Sequence, residues 1–140
     1  PPSSGQDLPM GFPLPFDRGY EAIRAVEALR DSITPHLYIT ELRAIAADDL
    51  WMSMAYQRLS LAIHFTWKLE SDAVLHLLPR IEATLAPYGA RPHWAKVFTM
   101  TTSQIAPLYP RIQDFRALTL EFDSKGKFGN RYIHDHIETA

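Results

Sequence analysis

Between positions 58 and 68, apolar and polar residues alternate. Leu59, Leu61, Ile63, Phe65 and Trp67 share one parity; Ser60, Ala62, His64, Thr66 and Lys68 share the other. Successive side chains of an extended chain point to opposite faces. The spacing therefore predicts a strand with one packed face and one polar face. Residues 37–47 show the same period. Leu37, Ile39, Glu41, Arg43 and Ile45 fall on one side, and Tyr38, Thr40, Leu42, Ala44 and Ala46 on the other.

Two stretches change to helical spacing. Ile23, Val26, Leu29 and Ile33 predict a helix over residues 18–33, with Asp17 as its N-cap and Pro35 as its stop. Val74, Leu77, Leu78, Ile81 and Leu85 predict a second over residues 71–85, capped by Ser71 or Asp72 and kinked or divided at Pro79. Ahead of both, residues 11–16 are extended at best, because Pro13 and Pro15 lack an N–H; they suit an edge strand or an exposed lead-in. Residues 48–56 read as a loop or short helical turn, and Tyr88-Gly89-Ala90 as a turn. A short helical stretch begins at Thr102 or Ser103 and meets Pro107 and Pro110. A further helix covers residues 111–118, Asp123-Ser124-Lys125-Gly126 is a turn, and residues 127–137 form a polar and aromatic tail. This order predicts an α+β fold: an antiparallel or mixed sheet with helices packed on one face.

Length and composition narrow the class. The 140 residues suit one compact domain, and a formal net charge of -2 argues against nucleic acid or an acidic membrane surface as partner. Without cysteine there is no disulfide and no thiolate nucleophile, which fits a cytoplasmic protein. No run of sequence approaches the ~20 apolar residues of a transmembrane segment. The chain starts without methionine, and prolines stand at positions 1, 2, 9, 13 and 15. That reads as a start inside a longer protein, or as a processed N-terminus.

The candidate chemistry lies on the polar parities. Glu41/Arg43 and His64/Thr66 are i, i+2 pairs, and antiparallel pairing of their strands would bring them within reach of one another. They supply a carboxylate acceptor, a forked donor, a group that titrates near neutrality and a hydroxyl. Such an inventory suits a neutral, hydroxyl-rich ligand such as a polyol or sugar lactone. It is equally that of a solvated face with a surface ion pair. The run Arg91-Pro92-His93-Trp94-Ala95-Lys96-Val97-Phe98 is too charged for core and too apolar for plain loop. It fits a half-buried segment aiming polar heads into a cavity. His134-Asp135-His136 could ligate a metal, but two histidines without further ligands read better as a polar tail. No metal site is assigned, and no dinucleotide-binding or phosphate-binding glycine motif is present.

Several ordered segments resemble one family. His93-Trp94-Ala95-Lys96, Leu108-Tyr109-Pro110-Arg111 and the run Asp123-Ser124-Lys125-Gly126-Lys127-Phe128-Gly129-Asn130 resemble the C-terminal signature of the aldonolactone oxidases. Glu41-Leu42-Arg43, Ala46-Ala47-Asp48 and His64-Phe65-Thr66-Trp67 extend the likeness. The aldonolactone oxidases are flavin-dependent oxidases of the vanillyl-alcohol oxidase superfamily, and the rest of the chain resembles their bacterial alditol (xylitol) oxidase branch. The resemblance runs from about Pro2 to Ile137. It implies a substrate (cap) domain over residues 1–140 of an FAD-dependent oxidase, with the FAD-binding domain of the parent protein as its partner and absent from this chain. It implies that Glu41, Arg43, Thr66 and Lys96 contact the polyol, and that His64, His93 and Lys96 border the flavin. The family reaction takes a hydride from a carbinol carbon while the hydroxyl loses its proton, and oxygen becomes hydrogen peroxide. Arg43 and Lys96 would stabilise the developing alkoxide, with His64 as a general base. The lead-in Pro9-Met10-Gly11-Phe12-Pro13 departs from the family's acidic-aromatic pattern, which puts its pairing in question. The isolated chain would be inactive. The competing readings are a stand-alone polyol- or sugar-binding module and a partner-docking domain.

Overall fold

The computed structural model describes residues 8–138. Three antiparallel strands form the sheet: β1 (Leu8–Pro15), β2 (Leu37–Ile45) and β3 (Ser60–Trp67), in spatial order β1-β3-β2. Helices α1 (Gly19–Glu27) and α3 (Ser71–Leu85) pack on one face and on each other, with a short α2 (Arg30–Ile33) between α1 and β2. The fold is α+β with helices on one side of the sheet. No described helix is long and apolar enough to cross a membrane.

The alternating parity of β3 is what builds the core. Ile63, Phe65 and Trp67 are buried against Met10, Phe12 and Leu14 of β1 and the stripe Val74, Leu77, Leu78, Ile81 and Leu85 of α3. Each fully buried side chain of this size stabilises by about 1.5–3 kcal/mol. Phe65 and Trp67 stack at 5.3 Å. Leu59 is 52% exposed, so the packed run starts at Leu61 rather than at Leu59. The buried Gly19 opens α1 against that leucine: a Cβ there would lie 2.6 Å from a Leu61 methyl, so a larger residue requires the leucine to shift.

The strand β1 is longer and better paired than its prolines predict. All eight residues pair with β3, from Leu8 opposite Trp67 to Pro15 opposite Ser60. Pro9, Gly11 and Pro13 turn their carbonyls outward instead, to the segment 91–97. Arg91 N donates to Pro13 O at 2.8 Å, His93 N to Gly11 O at 3.0 Å, and Val97 N to Pro9 O at 3.1 Å. A proline on this side has no N–H to leave unpaired, which is why the strand tolerates it.

Other expectations shift. The predicted helix over residues 18–33 divides at Ala28 and Leu29, and Asp17 sits in a 3-10 turn rather than capping α1. Neither Ser71 nor Asp72 is the N-cap of α3; Glu70 is, without a side-chain bond. The helix runs on through the exposed Pro79. A bulge between Leu37 and Ile39 places Leu37 opposite Trp67, on the helix face, not with Glu41. Downstream lie α4 (Thr102–Ile105), α5 (Ile112–Phe122), one turn longer than its spacing predicts, and α6 (Arg131–Ile133). The tail packs: Phe98, Tyr132 and His136 form a ring cluster with His136 4.8 Å from Phe98 and 4.7 Å from Tyr132.

Candidate substrate site on the polar sheet face

Register places Glu41 directly across from His64, with Gly11 on the other side of that histidine. Arg43 lies one step along, opposite Ala62, and Thr66 lies on the opposite flank, between Ile39 and Pro9. The face away from the helices therefore carries the predicted polar groups side by side.

A line of hydrogen bonds joins four of them. Arg43 Nη2 donates to Glu41 Oε2 at 2.9 Å, and His64 Nδ1 meets the same oxygen at 3.0 Å. His64 Nε2 lies 2.7 Å from Lys96 Nζ. An ammonium has only donors, so Nε2 accepts and the neutral ring carries its proton on Nδ1, which donates to Glu41. Lys96 reaches this position because the segment 91–97 runs along β1, and a turn closed by Lys96 N on His93 O at 3.0 Å swings its side chain over the sheet.

The electrostatics follow from the same contacts. Hydrogen bonds from Arg43 and then His64 hold the Glu41 carboxyl below its ordinary value. Burial pushes His64 down, against the pull of Glu41, and the Lys96 charge adds to the fall. Burial, then Arg43, pushes Lys96 down. His93 is lowered by burial, then by Lys96 and His64. Its Nδ1 accepts from Ala95 N at 3.2 Å, so the neutral ring carries its proton on Nε2, which bonds to no described residue. Glu41, His64, Thr66, His93 and Lys96 are half-buried and Arg43 is exposed.

The cluster 91–98 divides its labour in a way its composition does not announce. Arg91 is not aimed into a cavity. It is 4% exposed and its guanidinium stands over the Tyr109 ring at 4.9 Å. Its Nε donates to Leu108 O at 2.9 Å and its Nη1 to Met54 O at 3.1 Å. Trp94 is also a strut, donating Nε1–H to Met52 O at 2.8 Å. Only His93 and Lys96 turn toward the polar face. Among the described residues no group of three or more His, Cys, Asp or Glu is placed to hold a metal, and His134 and His136 do not converge. Sequence reasoning missed Gly11, which lies beneath Lys96, and Tyr132, whose hydroxyl donates to Trp94 O. The glycine framed by Pro9 and Pro13 was the available signal.

The family profile described as D-arabinono-1,4-lactone oxidase matches residues 7–136. The chain belongs to this family. It is 39% identical over 137 residues to an alditol oxidase of Streptomyces sp., covering 98% of this chain and 33% of that protein. It is 29% identical over 126 residues to an L-gulono-1,4-lactone dehydrogenase of Mycobacterium tuberculosis, covering 88% of this chain and 29% of that protein. An L-gulonolactone oxidase of Mus musculus is 24% identical over 127 residues, covering 86% of this chain and 28% of that protein. This member of the family thus spans about a third of the length of the relatives it matches. The match spans all six residues of the candidate site, from Glu41 to Lys96.

Proposed function

We propose that this chain is the substrate-binding part of a flavin-dependent oxidase acting on alditols or aldonolactones, and that the polar sheet face seats the hydroxyls of the substrate. The observation that carries the reading is the hydrogen-bonded line Arg43–Glu41–His64–Lys96 on one half-open face. A polyol needs closely spaced donors and acceptors, and this line supplies both within two strands and one loop.

Oxidation of a carbinol removes the hydroxyl proton and, from the carbon, a hydrogen with two electrons. FAD, when bound, supplies the electron acceptor. The residues present fit its border: the segment 91–98 offers Lys96 and the Nε2–H of His93, and contains no carboxylate to repel a ring that gains negative charge. Lys96 and Arg43 stabilise alkoxide character at the reacting oxygen, since fixed cations act strongly in a desolvated site. Glu41 accepts from a second hydroxyl. Thr66 shares that face and adds a hydroxyl to it.

His64 does not act as a base in direct contact with the substrate in this reading, because both its ring nitrogens are engaged. Lys96 passes one of its own protons to Nε2 and in turn takes the proton of the substrate hydroxyl, so that it ends as an ammonium again while Glu41 stabilises the imidazolium so formed. The apolar end of α5, where Leu120 is 68% and Phe122 77% exposed, supports a further surface for the rest of the protein.

The test is an oxidation assay on the full-length protein with xylitol, sorbitol and a sugar lactone under air. Steady peroxide release with at least one of them is the expected result. Failure to oxidise any member of either class would sink the reading.

A further inference from the structure

The middle of β1 carries no side chain where one would be most intrusive. A Cβ built on Gly11 would lie 3.5 Å from Lys96 Nζ, 3.7 Å from Lys96 Cδ and 3.5 Å from His64 Cδ2. The stem of Lys96 thus crosses β1 directly above this glycine. Backbone conformation does not call for glycine here, since Gly11 is not among the residues of positive φ. Space does. The same residue also fixes the approach of the loop, because its carbonyl accepts His93 N at 3.0 Å, three residues before Lys96.

We propose that Gly11 is a positioning residue for Lys96: the bare backbone at the centre of β1 is the gap through which the lysine reaches His64 and faces the substrate. A methyl at position 11 would meet ordinary van der Waals contact. A γ-carbon lies about 1.5 Å further out and would overlap the lysine stem. The gap is then a gauge. It admits an unbranched chain lying flat on the strand and fixes how far its ammonium extends past β1.

The groups that face His64 are Glu41 and Arg43 from β2 and Lys96 and His93 from the loop. Among them Lys96 is the one whose side chain a group at position 11 would meet; the same group would lie as close to the His64 ring, a direct effect that the Lys96→Ala background isolates. The inference rests on the proposed substrate site only for its consequence in turnover; the geometry is testable without substrate. The histidine titrations of the 140-residue chain, followed by NMR, should show Gly11→Ala keeping the wild-type His64 midpoint. Gly11→Val should raise it by roughly half a unit or more, toward the value in Lys96→Ala, because a like charge has moved away. Adding Gly11→Val to Lys96→Ala should change nothing further. An unchanged midpoint in Gly11→Val overturns the proposal.

If Gly11→Val loses its fold, the double variant decides. Removing the lysine stem should restore folding, and no rescue by Lys96→Ala overturns the proposal. In the full-length protein Gly11→Val should lower kcat on the order of 10²-fold, the cost of misplacing a reacting group by about an ångström. A shifted midpoint with undiminished kcat would uphold the positioning role and sink instead the assignment of Lys96 to the substrate.

Discussion

The ammonium of Lys96 and the imidazole of His64 meet at 2.7 Å, although 32 residues separate them in the chain. The contact makes the lysine a donor with its direction set from behind. Lys96→Met in the full-length protein should therefore lower kcat by about 10²–10³-fold, the usual cost of deleting one preorganised electrostatic donor. Lys96→Arg should recover little, because a planar guanidinium does not replace a compact ammonium over Gly11. Turnover of Lys96→Met within a few-fold of wild type would remove the residue from the site.

Glu41 and Lys96 pull the titration of His64 in opposite directions, and the signs separate their roles. The carboxylate raises the His64 pKa through its bond to Nδ1, and the ammonium lowers it. Glu41→Gln should move the His64 midpoint down, while Lys96→Met should move it up. NMR titration of the chain checks both. Shifts of the same sign in the two variants would break the proposed line of hydrogen bonds.

The same groups make folding sensitive to acid. His64 and His93 both have folded pKa values below the ordinary 6.5, so the unfolded chain binds more protons between the two values. Stability from these histidines is complete above about pH 6.5 and is lost as pH falls toward their folded values. Glu41, lowered from 4.5, adds a further loss below that value. Thermal midpoints measured from pH 8 to pH 4 should fall from about pH 6.5 downward, and His64→Asn should flatten the upper part of the fall. A midpoint that rises on acidification through that window would contradict the assigned shifts.

Much of this was legible in the sequence because the strand signal is local. The parity of residues 63–67 already separates Ile63, Phe65 and Trp67 from His64 and Thr66, and burial follows it there, whereas Ser60 and Ala62 are buried against their parity. The Glu41–His64 pairing needed only the antiparallel assumption. What escaped depends on partners distant in sequence. The bulge that moves Leu37 to the helix face has no side-chain signature. The prolines of β1 read as obstacles until the segment 91–97 is seen to need only their carbonyls. Arg91 carries the same charge as Lys96, and composition gives no reason to bury one and aim the other at the polar face. Their difference is a matter of which carbonyls lie within reach.

Arg91 supplies the sharpest structural prediction. Its guanidinium donates to Leu108 O and Met54 O, and Nη1 also lies 3.3 Å from Ser53 O and 3.5 Å from Tyr56 O. The loop before β3, the start of the 91–97 segment and the stretch before α5 are tied at this one group. Nearby Arg58, pushed down to about 10 by burial and by Arg91, donates to Gly89 O at 2.9 Å and closes the same corner. Truncation leaves several buried carbonyls without a donor, at about 1–3 kcal/mol for each that water cannot reach. Arg91→Met should thus destabilise by about 3 kcal/mol, and Arg91→Lys by somewhat less, since an ammonium cannot span the fork. Arg24, exposed and paired with Glu27 at 2.5 Å, is the control, and Arg24→Met should cost under about 0.5 kcal/mol. Denaturant unfolding compares the three directly. Because the anchored segment begins at Arg91 and delivers Lys96 five residues later, Arg91→Met should also broaden the His64 resonance through a loosened lysine. Equal stability of Arg91→Met and Arg24→Met would show that the guanidinium is solvated rather than a tie between loops.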